Sequence, residues 1–204
     1  MKKYLTVDPN IIAKHSELID EPVVVRVNKF NEEGAKEFAE ALEKAHGTGQ
    51  PVIPVVIDSY GGQVYSLLDM VSQIQNCKLP VVTICEGKAM SCGAVLFSMG
   101  EQRWISKTAT IMIHDVSSME WGKVEEVKAG AHEADRLNQF IYKLMAKNCK
   151  QDEDYFLKII HQKSHAEWYL PYTVARKHNF ATHTGVPSLS TEIKVEYTFT
   201  GWDE

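Results

Sequence analysis

The 204-residue sequence predicts an α/β fold with a largely parallel sheet. Two observations carry this expectation. Three short apolar runs, Pro22 to Val27, Pro51 to Ile57 and Pro80 to Cys85, lack the apolar–polar alternation of a half-exposed strand, so they suit strands covered on both faces. Between them lie two segments with apolar residues at helical spacing. Strand and helix therefore alternate, the order whose crossovers run right-handed and whose strands run parallel.

The first helix follows Asn31, whose side chain can cap it, and Glu32 and Glu33 suit the positive end of its dipole. It ends at Gly47, with Ala35, Phe38, Ala41 and Leu42 on one face. The second strand runs into Asp58-Ser59-Tyr60-Gly61-Gly62, a turn at the carboxyl end of a strand, where open α/β sheets place their ligands. Val64 to Gln75 reads as the second helix. After the third strand, Glu86 to Met90 leads into Ser91 to Met99, a short and almost wholly apolar helix closed by Gly100. Strands are expected at Arg103 to Ile105 and Thr110 to Ile113.

Gly122 to Asn148 carries apolar residues spaced by threes and fours from Val124 to Met145, which predicts a helix roughly 40 Å long. A small domain cannot cover such a helix on all sides. Either part of its stripe is an oligomer surface or the helix breaks near Gly130. Further helices are expected at Asp152 to His161 and Thr173 to His178. In the tail 184–204, Ile193, Val195, Tyr197 and Phe199 alternate with polar residues at the period of a half-buried strand.

The length suits one domain spanning 1–204, without internal repeat or linker. Apolar residues make up 44% and charged residues 24%, as in ordinary soluble proteins. No apolar run approaches the roughly 18 residues of a membrane span, and the amino terminus lacks the apolar stretch of a signal peptide. A cytoplasmic location without membrane association is the expectation. The net charge of -5, with no basic run, gives nucleic acid no electrostatic footprint. Cys77, Cys85, Cys92 and Cys149 show no paired spacing, so they are read as reduced thiols.

Three places bear chemistry. Ser91 lies among small residues at the start of the apolar helix, where free backbone amides favour developing negative charge, and Cys92 N–H is a candidate oxyanion donor. The alternative is that Ser91 is a plain helix N-cap. His114 leaves the apolar strand Ile111-Met112-Ile113 and is a natural general base, although many histidines in such places are only hydrogen-bonded structural residues. Gly61-Gly62 is either a tight strand-to-helix turn or a pair that lets a substrate backbone approach its amides. His161 and His165 stand four apart, but no glutamate completes a zinc-protease motif, and neither metal nor cofactor is expected.

Together these segments resemble the ClpP family, the proteolytic subunit of Clp protease. Asp58-Ser59-Tyr60-Gly61-Gly62 resembles its Asn-Ser-Pro-Gly-Gly loop, Gly87-Lys88-Ala89-Met90-Ser91-Cys92-Gly93-Ala94 its Gly-Gln-Ala-Ala-Ser-Met-Gly-Ala nucleophile motif, and Ile111-Met112-Ile113-His114 its Val-Met-Ile-His segment. The resemblance runs from about Pro22 to Thr182. It implies a ClpP/crotonase-like fold of stacked ββα units with a long protruding handle helix at 122–148. It also implies a serine endopeptidase in which Ser91 is nucleophile, His114 is base, and Gly61 or Gly62 with Cys92 forms the oxyanion hole. The family's acidic third residue falls on Glu167, with Asp115 as the fallback and a Ser91-His114 dyad as a further option. Asn179 stands where the family has a glycine, which suits a left-handed helix end.

By the same resemblance the substrate is unfolded polypeptide or peptide, and the assembly is a homo-oligomer of heptameric rings, stacked as a tetradecamer around a chamber. An AAA+ unfoldase is the implied partner, although residues 1–20 depart from the family's axial segment. After His114 the chain has Asp115-Val116-Ser117-Ser118 in place of Gln-Pro and a glycine-rich stretch. That departure leaves open a catalytically inactive ring subunit, and the fold alone leaves open a crotonase-type acyl-CoA enzyme. A signal-peptide-peptidase-like enzyme is disfavoured because no membrane anchor is expected.

Overall fold

The computed structural model describes residues 21–117 and 121–188, so the amino-terminal segment and the strand expected at 193–199 lie outside the described residues. The elements run β1 (Val25–Val27), α1 (Glu32–Gly47), β2 (Ile53–Ser59), α2 (Val64–Gln75), β3 (Val81–Met90), α3 (Cys92–Ser98), β4 (Gln102–Ile105), β5 (Thr110–Ile113), α4 (Val124–Asn148), α5 (Tyr155–Gln162), β6 (Trp168–Pro171), α6 (Tyr172–Lys177) and β7 (His183–Thr184). The predicted strand–helix order holds. Asn31 caps α1 as expected, its Oδ1 accepting from Gly34 N–H at 2.8 Å.

The sheet runs β1-β2-β3-β4-β7, with β5 on the distal half of β3 and β6 on β5. All pairs are parallel except β5 with β6. β3 serves two partners in succession: Val82 to Cys85 pairs with β4, and Lys88 to Met90 pairs with β5. The switch falls at Glu86-Gly87, opposite an irregularity between Ile57 and Ser59 of β2. Polar Glu86 and Lys88 are held there by Arg26 at 3.8 Å and by Asp58 at 2.8 Å. This extension of β3 carries the chain to Met90, so Ser91 sits directly at a strand end.

The core joins the sheet to α1, α2 and α3 and also takes in Ile141, Tyr142 and Met145 of α4 and Phe156 and Ile160 of α5. Every residue of α3 is buried, as its composition requires. Arg103 is only 4% exposed, and its guanidinium donates to the carbonyls of Gly100, Asn179 and Phe180 at 2.8 to 2.9 Å. It ties β4 to the end of α6. Asn179 adopts φ 53, the left-handed conformation anticipated there, and its side-chain amide donates to Cys149 O at 2.7 Å. All four cysteines are free thiols.

Helix α4 is continuous through Gly130 and about 37 Å long. Its burial is uneven. Val124 to Ala129 are exposed, Leu137 is the first buried residue, and Ile141, Tyr142, Met145 and Ala146 complete the packed half. Val124 and Val127 remain 68% and 39% exposed. No described helix is long and apolar enough to cross a membrane.

Candidate active site

Strand register brings the site together. Met90 pairs with Met112 on the parallel β3–β5 ladder, and Ser91 N–H continues it by donating to Met112 O at 2.9 Å. Ser91 therefore leaves β3 beside Ile113, one residue before His114 leaves β5. Ideal strand spacing of about 4.8 Å and a rise of about 3.3 Å per residue would set the two α-carbons roughly 6 Å apart. Both side chains line one narrow cleft of about 50 Å³, walled by Val64, Leu67, Ile113 and Met145. No direct hydrogen bond joins them among the described residues. Catalytic hydrogen bonds in free enzymes commonly tighten only when substrate arrives.

Ser91 is not an ordinary N-cap. Its backbone has φ 54 and ψ -120, a conformation costly for a residue with a side chain, by an order of 1–3 kcal/mol. The ladder bond behind it and the turn ahead, where Ala94 N–H donates to Ser91 O at 2.9 Å, hold it there. Gly61 packs against it so closely that a Cβ on Gly61 would lie 2.7 Å from Ser91 Cβ and 3.1 Å from its Oγ. Only glycine fits. Gly62 is confined likewise by Phe30, whose carbonyl would stand 2.4 Å from an added Cβ.

The three predicted oxyanion donors differ. Gly61 N–H is taken up by Ser59 Oγ at 3.1 Å, whereas among the described residues no acceptor on another residue engages the N–H of Gly62 or Cys92. The Cys92 thiol donates to Gly62 O at 3.3 Å, and burial pushes its pKa up. Burial thus favours the neutral thiol at Cys92.

The two acidic candidates also separate. The β5–β6 ladder ends with Ile113 opposite Trp168, so one further step of that register would set His114 opposite Glu167. Glu167 thus stands in register with His114, although its carboxylate accepts from Tyr169 Oη at 2.6 Å. Asp115 faces elsewhere. Its Oδ1 accepts from Tyr142 Oη at 2.7 Å, and its Oδ2 lies 2.5 Å from His165 Nδ1. Val116 N–H, next along, donates to Asn138 Oδ1 at 2.6 Å.

Asn138, Tyr142 and His165 were not singled out by the sequence reading for any role at this cleft. The signal was present for two of them: Asn138 and Tyr142 sit one turn apart on the core-facing side of α4, beside Leu137, Ile141 and Met145. A polar pair within an apolar stripe needs partners. Those partners, Val116 N–H and Asp115, lie more than twenty residues away. Among the described residues no cluster of three or more His, Cys, Asp and Glu side chains is arranged to hold a metal ion.

Fold and site together define an α/β protein of the ClpP/crotonase class, with a serine and a histidine at neighbouring strand ends. The chain belongs to the Clp protease family, whose model matches residues 8–167. Among curated relatives, it is 30% identical over 113 residues to the ATP-dependent Clp protease proteolytic subunit 1 of Salinibacter ruber. That match takes in 54% of this chain and 48% of the relative, so it spans about half of the relative's length.

Proposed function

We propose that this chain is a ClpP-type serine endopeptidase acting through an acyl-enzyme on Ser91. The observation that carries the reading is the shared cleft: a strained serine on the end of β3, and a histidine one register step further on the adjacent strand. His114 removes the proton from Ser91 Oγ as the oxygen attacks the scissile carbonyl, and the N–H groups of Gly62 and Cys92 receive the oxyanion. The tetrahedral intermediate collapses as His114 returns the proton to the leaving amine. Water then repeats the sequence and frees the acid. Glu167 orients the His114 imidazole and stabilises its charged form, a role requiring its side chain to turn from Tyr169 towards His114.

The substrate is unfolded polypeptide, and the exposed amino-terminal half of α4 is the surface on which copies of this chain assemble, as heptameric rings stacked in a tetradecamer. The relative's name includes ATP dependence, so an AAA+ unfoldase is the partner proposed for such an assembly in the cytoplasm. A second reading, a ring subunit without catalytic activity, is favoured by the Glu167–Tyr169 hydrogen bond, which occupies the acid. Cleavage of a fluorescent unfolded polypeptide separates the two. The expected result is turnover by the parent protein and a loss of at least about 10³-fold in Ser91→Ala and His114→Ala. An assembled, folded parent that cleaves no faster than its Ser91→Ala variant supports the inactive subunit instead.

A further inference from the structure

Asp115 occupies a place that the proposed chemistry does not use, yet both of its carboxylate oxygens are engaged. It directly follows His114. One oxygen accepts from Tyr142 of α4 and the other meets His165, in the loop between α5 and β6. The Asp115 side chain is 24% exposed and that of His165 is 54% exposed. Asn138, one turn before Tyr142, holds Val116 N–H. The segment leaving β5 is thus fixed to α4 at two successive residues, and through Asp115 to a loop fifty residues further along.

That loop is itself unusual. Ser164 and His165 both have positive φ, 55 and 60, and neither is glycine. Consecutive left-handed residues carry a backbone cost that their surroundings must offset. Local bonds supply part of this, with His165 N–H donating to Ile160 O at 2.9 Å and Ala166 N–H to Lys163 O at 3.1 Å. The His165 ring adds a long-range polar contact to the turn, with Asp115. Two residues later the chain reaches Glu167, and then the β5–β6 ladder begins at Trp168 opposite Ile113. The register step that would set His114 opposite Glu167 therefore lies just beyond the ladder's last pair on one side. On its other side the Asp115–His165 contact closes it.

We infer that Asp115 and His165 form a clamp that fixes Glu167 opposite His114, which makes both positioning residues. This rests on the reading of Ser91 and His114 as the reacting pair. The clamp explains why a carboxylate adjacent in sequence to the histidine is not the third catalytic member, since both of its oxygens are committed to α4 and to the loop. It also gives a role to the chain's departure from the ClpP pattern immediately after the histidine.

The test uses Asp115→Asn and His165→Ala, each in the parent and in a Glu167→Gln background, with two readouts. Hydrogen exchange of peptides covering 163–168 reports the loop without reference to activity. The rate of fluorophosphonate labelling reports the site. The expected result is exchange faster by about tenfold in both variants, labelling slower by about tenfold with Glu167 present, and less than twofold further slowing when Glu167 is already Gln. Equal slowing in both backgrounds, or unchanged exchange, overturns the clamp. If the parent protein does not label at all, the peptidase reading fails separately, and the exchange arm alone decides whether Asp115 holds the loop.

Discussion

Replacing Gly61 by alanine tests the packing around Ser91 more sharply than removal of any side chain. Gly61 has φ +109, a conformation that costs a residue with a Cβ roughly 1–2 kcal/mol. The new methyl would meet Ser91 Cβ at 2.7 Å, Met90 O at 3.1 Å and Ser91 Oγ at 3.1 Å. Carbon atoms pack at about 3.5–4.0 Å, so the turn carrying Ser91 must retreat by about an ångström. A misplacement of about 1 Å at a reacting atom can cost about 10²-fold in rate. Labelling by a fluorophosphonate, followed by intact mass, should therefore slow by about 100-fold, and urea unfolding should show a loss of roughly 1–3 kcal/mol. Gly93→Ala is the control, because its Cβ would meet Ile57 and Ser59 no closer than 3.5 Å, and alanine favours helix α3. If Gly61→Ala labels at the parent rate with unchanged stability, the close approach of the glycine loop to Ser91 is wrong.

Arg103→Met leaves the carbonyls of Gly100, Asn179 and Phe180 without their buried donor, and should cost about 3–5 kcal/mol by urea unfolding. Arg103→Lys should recover little of it, since an ammonium cannot reproduce the planar fork. At Asn179, alanine should destabilise by about 1–2 kcal/mol through strain at φ 53 and loss of the bond to Cys149 O. Glycine should cost less than about 1 kcal/mol, because it removes the strain. The third expectation concerns pH. Burial, and then the neighbouring Lys177, hold the His178 pKa below its ordinary value, where the ring lies against Trp168 and 2.6 Å from Tyr155 Oη. The folded state prefers the neutral ring, so this contribution to stability is complete above the unfolded-state pKa of roughly 6.5 and is lost as the pH falls from there towards the folded value. Melting temperature should drop on acidification below about pH 6.5, and His178→Gln should flatten that slope.

Much of the scaffold was legible because it is locally encoded. Helix α2 occupies Val64–Gln75, the bounds its periodicity predicts, and Asn31 and Asn179 serve the two helix ends for which their side chains suit them. The position of Ser91 at a turn before a buried helix could also be read from the small residues around it. What escaped depends on partners far along the chain. Glu86 to Met90 looks like a loop, being polar and containing Gly87, and becomes strand only because β5 supplies a second partner beyond the point where β4 ends. Trp168–Pro171 is too short, and contains a proline, so β5 alone makes it a strand. The placement of Glu167 in register with His114, and the engagement of Asp115 by Tyr142 and His165, follow from that pairing and have no local signature. The apolar stripe of α4 was visible throughout, but which half is packed is decided by where the core ends.

The most direct measurement is peptide mapping of the fluorophosphonate adduct on the assembled parent protein, beside its His114→Ala variant. The expected outcome is one adduct per chain, on residue 91, with the variant modified at least about 10³-fold more slowly. An adduct on another side chain, or equal modification of both proteins, contradicts the placement of the reacting hydroxyl beside that imidazole.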